Sequence, residues 1–262
     1  MKLRVRSELV FDFPPYTEII ASIHAATSDD QTVLSETLHL SPFAPVVQDD
    51  ADARGERRFR ATLSGETTIV YEALVDNGAR IAIPPNLRQN TWTELPREAL
   101  QYLTASRYCP SDMFMRFAHR EFGGIAEGGA RVLAVIDWIH ANVDYVSGVS
   151  TAETTAERTF VDRAGVCRDF SHLGITLCRA LNIPARAVSA YAWKLDPPDF
   201  HAVCEVFLEG GWWLIDPTRL APVDGLVRIG VGRDAADIAF LTTSGPVTSL
   251  AQWVTVEPVT AS

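Results

Sequence analysis

Cysteine and histidine are scarce in this chain, with four and six among 262 residues. Cys109, Cys167, Cys178 and Cys204 show no CxxC spacing and the histidines no HxxxH spacing, which excludes the usual ligand patterns of a zinc site. No acidic loop suited to calcium is present either, and no cofactor is expected. No segment approaches the ~18 apolar residues that a membrane-spanning helix needs. The opening stretch from Met1 to Glu8 carries positive charge without an apolar core behind it, unlike a signal peptide. Positive charge is itself in deficit, since 23 Lys and Arg face 33 Asp and Glu for a net charge of −10. That balance argues against nucleic acid and anionic membrane surfaces as partners but leaves a basic peptide or protein open as substrate. The expectation is a soluble, cytoplasmic chain with reduced thiols.

Apolar residues make up 47% of the sequence, enough for one large or two modest domains. The first part reads as antiparallel strands. Leu3, Val5, Leu9, Phe11 and Phe13 alternate with mostly polar neighbours, the period-two pattern of a half-buried strand that Pro14-Pro15 is expected to end. Further strands are predicted over Ile19 to His24, Thr32 to Leu40, Arg58 to Leu63 and Thr67 to Val75, with Ser64-Gly65 as a turn between the last two. A small β-sandwich or barrel follows from that reading. His24 and His39 stand alone in it and read as ordinary surface or half-buried histidines.

The period then changes. Arg97 to Leu103, the stretch carrying Phe114, Phe117, Ala118 and Phe122, and Ala130 to Asn142 read as helices. Ser147 to Glu157 reads as a surface loop, and Val223 to Val231 and Val247 to Val256 as later strands, before a frayed tail over Val259 to Ser262. The expected organisation is α+β: an N-terminal antiparallel β domain over residues 1–90 and a second domain over 91–262, with its core at 130–218.

The stretch Gly165-Val166-Cys167-Arg168-Asp169-Phe170-Ser171-His172-Leu173 organises the second domain. A glycine for a sharp turn precedes a helix whose apolar stripe is Phe170, Leu173, Leu177 and Leu181. Cys167 therefore falls at the first turn, where free N–H groups and the positive end of the helix dipole favour a thiolate, the nucleophilic form. Cys178 is too far along the same helix to pair with it. Downstream, Glu209-Gly210-Gly211 is a hairpin turn between two β-rich runs. His201 opens the first run and Asp216 closes the second, so both fall near the same end of the hairpin with a stagger of two or three positions. Cysteine, imidazole and carboxylate in that order follow the nucleophile, base and orienter logic of covalent catalysis.

These segments, with Asn182-Ile183-Pro184-Ala185-Arg186, His201-Ala202-Val203-Cys204-Glu205-Val206 and Trp213-Leu214-Ile215-Asp216-Pro217-Thr218, together resemble the bacterial transglutaminase-like superfamily of cysteine peptidases. The likeness spans Ala130 to Thr218. It implies a papain-like catalytic core with Cys167 as nucleophile, His201 as base and Asp216 as orienter, acting on peptide or protein amides without metal or cofactor. Hydrolysis is the expected reaction, because water is in large excess and no segment looks like a dedicated amine pocket; glutamine transamidation or deamidation, and a catalytically silent scaffold, are the alternatives. The likeness also matches Tyr145 to a tyrosine that borders the site or donates to the oxyanion. Cys204, His172 and Asp169 read as structural, the last as a helix cap, and Tyr191 and Trp193 as aromatic core.

Overall fold

The fold was analysed on a computed structural model that describes residues 1–259. The tail expected beyond Val259 lies outside them. Strands β1 (Lys2–Ala21), β2 (Thr32–Ser41), β3 (Val47–Gln48) and β4 (Phe59–Asp76) come first. A 3-10 helix over Arg97–Tyr102 leads to α1 (Ser111–Phe122) and α2 (Gly129–Asn142). Then come β5 (Asp144–Tyr145), α3 (Ala156–Asp162), β6 (Ala164–Gly165) and α4 (Cys167–Ala180). Strands β7 (Ala185–Ala192), β8 (Phe200–Leu208), β9 (Gly211–Ile215), β10 (Leu226–Gly232), β11 (Leu241–Thr243) and β12 (Thr248–Pro258) complete the chain. The class is α+β, as the sequence predicts. No helix among the described residues is long and apolar enough to cross a membrane.

Strands β1 to β4, with β11 and β12, form one open six-stranded antiparallel sheet rather than a closed barrel. Leu3, Val5, Leu9 and Phe13 are buried on one face of β1, as the alternation requires. Pro14-Pro15 does not end β1. The strand continues to Ala21 with a register shift between Phe13 and Thr17 against β4. Nor is Ser64-Gly65 a turn between strands, because β4 runs through it with Gly65 at φ +72°. Phe13 and Gly65 face each other in register. The two turn signals are thus halves of one irregularity in a long strand pair, where proline is tolerated and glycine supplies the positive φ.

The sheet built on residues 1–90 also takes in later strands. β12 pairs with β1 from Leu3 to Asp12, and β11 pairs with it from Ile19 to Ala21. The end of the chain therefore returns to the N-terminal sheet. Without those strands β1 would be a long exposed edge, which folded proteins cover. A further difference is α3, whose start lies in the stretch Ser147 to Glu157 that was expected to be a surface loop. The side chain of Thr155 accepts from Arg158 N–H at its start, and Arg163 at φ +57° closes it.

The second sheet has the order β10-β7-β8-β9. Helix α4 packs on one face of it. Leu173, Leu177, Ala185, Ala187, Cys204 and Val206 share that core with α1 and α2. Further along β7, Tyr191 enters the N-terminal core, donating to Ile23 O at 2.7 Å and lying 3.1 Å from Ser7 Oγ. Charge also joins the two sheets. Glu205, fully buried on β8, accepts from Arg186 Nε at 2.6 Å and from Arg228 Nε at 3.1 Å. Arg228 in turn meets Asp30 Oδ1 of the N-terminal region at 2.8 Å.

Candidate active site

Cys167 is the first residue of α4, reached through Gly165 and the extended Val166. Gly165 is not there for its φ, which is not positive. A Cβ at that position would stand 2.7 Å from Asp169 Cβ and 3.0 Å from Asp169 Oδ2. The glycine lets Asp169 fold back, so that its carboxylate accepts from Val166 N–H at 2.9 Å. This is the cap expected of Asp169, and Arg168 Nη2 neutralises it at 3.0 Å. One helical turn beyond Cys167, the hydroxyl of Ser171 donates to Ala202 O at 2.9 Å. That bond ties the start of α4 to the strand residue next to His201. Ser171 drew no notice in the sequence, where a serine on a helix has no visible partner.

The hairpin register pairs Cys204 with Ile215, which puts Asp216 beyond the end of β9 with the stagger the turn implied. His201 Nε2 and Asp216 Oδ2 lie 3.0 Å apart, and both side chains are buried. Asp216 is held from three further directions. Thr218 N–H donates to Oδ1 at 2.9 Å, Thr218 Oγ1 to the same oxygen at 2.7 Å, and Ala221 N–H to Oδ2 at 3.0 Å. The sequence reading gave Thr218 and Ala221 no role, although Asp followed by Thr at the second position is a turn signal that could have revealed the first.

Burial works against ionisation of Asp216, but the His201, Thr218 and Ala221 hydrogen bonds outweigh it and hold the carboxyl below its ordinary value. Burial likewise disfavours the His201 imidazolium. Its hydrogen bond to Asp216 and the neighbouring Cys167 prevail, and the pKa is pushed up to about 10. His201 Nδ1 is buried without a well-formed hydrogen bond. Cys167 adjoins the ring without completing a hydrogen bond to it, a looseness common in unliganded sites.

Tyr145 adjoins the cysteine. Burial first, then the Cys167 sulfur, push its phenol up to about 12, against the pull of the Cys167 backbone N–H. The hydroxyl thus borders both the thiol and the helix-start amide. Next to them is a hollow of about 340 Å³ lined by Gly148, Ser150, Thr151, Ala152, Val166 and Arg168. A larger hollow of about 640 Å³ on the N-terminal sheet, under Ile20 and Thr242, is lined by no cysteine or histidine.

The residues read as structural hold such places. His172 is buried, stacks on Tyr108 at 5.1 Å and accepts from Ala235 N–H at 3.1 Å. Burial lowers its pKa to about 4. Cys204 is buried in the core shared with α4, and burial raises its thiol well above the ordinary value. Tyr191 is core, and half-buried Trp193 carries the Lys194 ammonium 4.3 Å above its ring.

Known proteins share this plan. Residues 116–217 match the family model of the transglutaminase-like superfamily, and residues 1–90 that of the bacterial transglutaminase N-terminal domain. A crystal structure from Cytophaga hutchinsonii, provisionally described as a cysteine protease, is 38% identical, with a TM-score of 0.93 over 100% of this chain and 92% of that one. An uncharacterized protein of Mycobacterium leprae is 27% identical over 188 residues, which are 66% of each chain. One from Mycobacterium tuberculosis is 31% identical over 115 residues, 37% of its own length. The shared fold, the two family models and the identity with the Cytophaga protein make this chain a member of the transglutaminase-like superfamily of cysteine-type enzymes.

Proposed function

We propose that this protein is a thiol-dependent acyl-transfer enzyme that hydrolyses amide or peptide bonds of a peptide or protein substrate. The observation that carries the reading is the buried His201–Asp216 pair at 3.0 Å, set beside a cysteine that opens a helix. Cys167 is the nucleophile, His201 its base and Asp216 the group that orients and charges the imidazole. His201 takes the thiol proton, or the pair rests as thiolate and imidazolium. Sulfur attacks the carbonyl carbon, and negative charge develops on oxygen. The Cys167 N–H, at the start of the helix beside the Tyr145 oxygen, and the Tyr145 hydroxyl are the donors we assign to that charge. His201 then protonates the leaving amine as the C–N bond breaks, leaving a thioester. Water, deprotonated by His201, displaces the thiol and releases the acid.

Water is favoured over an amine because it is in vast excess and the hollow beside Val166 and Arg168 is open to it. On the same footing we place the protein in the cytoplasm, where its four free cysteines suit a reducing environment. The test is a panel of peptide amides and glutamine peptides incubated with and without methylamine, with acylated Cys167 followed by intact mass. Release of free acid that depends on Cys167 supports the reading. Predominant methylamide product would replace hydrolysis by transamidation. Turnover unchanged in Cys167→Ala would refute the nucleophile, and no acylation by any member would favour a silent scaffold.

A further inference from the structure

Asp199 is an exposed aspartate two residues before His201, at the end of the loop that leads into β8. Residues two apart in an extended chain project to the same side, which sets this carboxylate on the side of the strand that carries His201. Its Oδ1 is fixed twice. Phe200 N–H donates to it at 2.6 Å, and the side-chain amide of Gln252 reaches it from β12 of the N-terminal sheet. Both contacts leave Oδ2 without a partner among the described residues. Lys194, on the same loop, lies over Trp193, and Arg168, next to Cys167 in the chain, is bound to Asp169 and to Thr151 O. After burial and the Cys167 sulfur, the Asp199 carboxylate is a minor cause of the raised Tyr145 phenol, which puts it within electrostatic reach of the nucleophile's neighbour.

We propose that Asp199 is a recognition site for a cationic group on the substrate, a lysine or arginine side chain close to the amide presented to Cys167, and that Gln252 holds it in position. This rests on the thiol-enzyme reading above and adds to it the class of peptide. An anchored carboxylate with a free oxygen meets an ammonium or guanidinium without first having to be ordered, so less is lost on binding. A free amine acceptor would offer the same cationic chemistry. An amine held as its ammonium, however, has no lone pair with which to attack a thioester, and that favours a side chain of the acyl donor. The role also explains why the N-terminal sheet meets the loop before His201: Gln252 is its contribution to the site.

The test needs no known substrate. Alkylation of Cys167 is measured with cationic 2-bromoethylamine and neutral iodoacetamide, and peptide mapping separates it from the other thiols. The ratio of the two rate constants cancels any change in thiol reactivity itself. In Asp199→Asn, which keeps an oxygen for Phe200 and Gln252, the ratio should fall about 3- to 10-fold, and by less in wild type as salt is raised. Gln252→Leu should lower it part of the way. Asp196→Asn, an equal loss of charge on the same loop, should leave it where it was. An unchanged ratio in Asp199→Asn, or an equal fall in Asp196→Asn, overturns the inference. Slow iodoacetamide labelling of wild-type Cys167 would instead contradict the thiol-enzyme reading, with the ratio still measurable at that thiol. A pair of peptide amides carrying lysine or norleucine beside the reactive amide separates the two cation sources. Donor recognition appears as a lysine preference in kcat/KM that Asp199→Asn removes. A charge effect confined to the fraction transferred to added methylamine would overturn the donor assignment.

Discussion

The imidazole of His201 and the carboxylate of Asp216 meet at 3.0 Å with 1% and 5% of their residues' surface exposed. Water therefore competes little for either partner, and Thr218 and Ala221 leave the carboxylate one orientation. Asp216→Asn keeps the shape but can turn an amide N–H toward the ring and favour the other tautomer. Turnover should drop by roughly 10²- to 10⁴-fold. A variant within a factor of two of wild type in steady-state assays would show that Asp216 does not orient the base.

In the proposed mechanism the raised pKa of His201 sets the basic side of the activity profile. Protonation of the leaving amine needs the imidazolium, so kcat/KM should hold through neutral pH and decline as pH rises through about 10. The same shift acts on stability. The folded-state pKa is above the ordinary 6.5, so the contribution is complete below pH 6.5 and is lost as pH climbs toward about 10. A melting temperature flat over that interval in the wild type would contradict the coupling.

Tyr145→Phe removes the hydroxyl that borders Cys167 and leaves the ring against Phe170 at 5.8 Å. If the phenol donates to the developing oxyanion, kcat should fall by about 10²-fold with little change in fold stability. An unaltered kcat would reduce Tyr145 to a wall of the site.

Glu205, fully buried, meets the buried Arg228 and the partly buried Arg186, and burial opposes its ionisation while the two arginines keep its pKa below the ordinary carboxylate value. Glu205→Ala would strand buried cations and should cost about 3–5 kcal/mol in urea unfolding. Because the folded-state pKa is lowered, this contribution is present above pH 4.5 and disappears as pH falls below it. A loss under 1 kcal/mol would mean that water or Asp30 replaces the carboxylate.

What could be read in the sequence was local. Cys167, His201 and Asp216 each stand at the end of an element whose boundary has its own signal: a glycine before a helix, a proline-rich loop before a strand, a hairpin turn between two apolar runs. The helical stripe of Phe170, Leu173 and Leu177 is buried as its spacing requires. What could not be read was distant pairing. Pro14-Pro15 and Ser64-Gly65 look like separate turns until Phe13 is set against Gly65, and nothing near Leu3 announces Pro258 as its partner. Glu205 and Arg228 sit on strands where charge suggests an exposed face, and only their meeting inside the molecule makes burial tolerable. The same reason hides Ser171 and Gln252, whose partners are backbone or loop atoms far along the chain.

Cys204→Ser should change stability by about 1 kcal/mol and leave the kinetics of thiol alkylation at Cys167 unaltered, since Cys204 is packed in the core beneath α4. A slowed Cys167 would mean that the strand carrying His201 had moved.

The central claim is that His201 and Asp216 make a reactive nucleophile of Cys167, and iodoacetamide labelling at neutral pH, mapped by peptide mass, tests it most directly. Cys167 should react far faster than the buried Cys109, Cys178 and Cys204, and Asp216→Asn should slow it at least 10-fold, a rough expectation from loss of support for the thiolate–imidazolium pair. Equal Cys167 rates in wild type and Asp216→Asn would contradict the account.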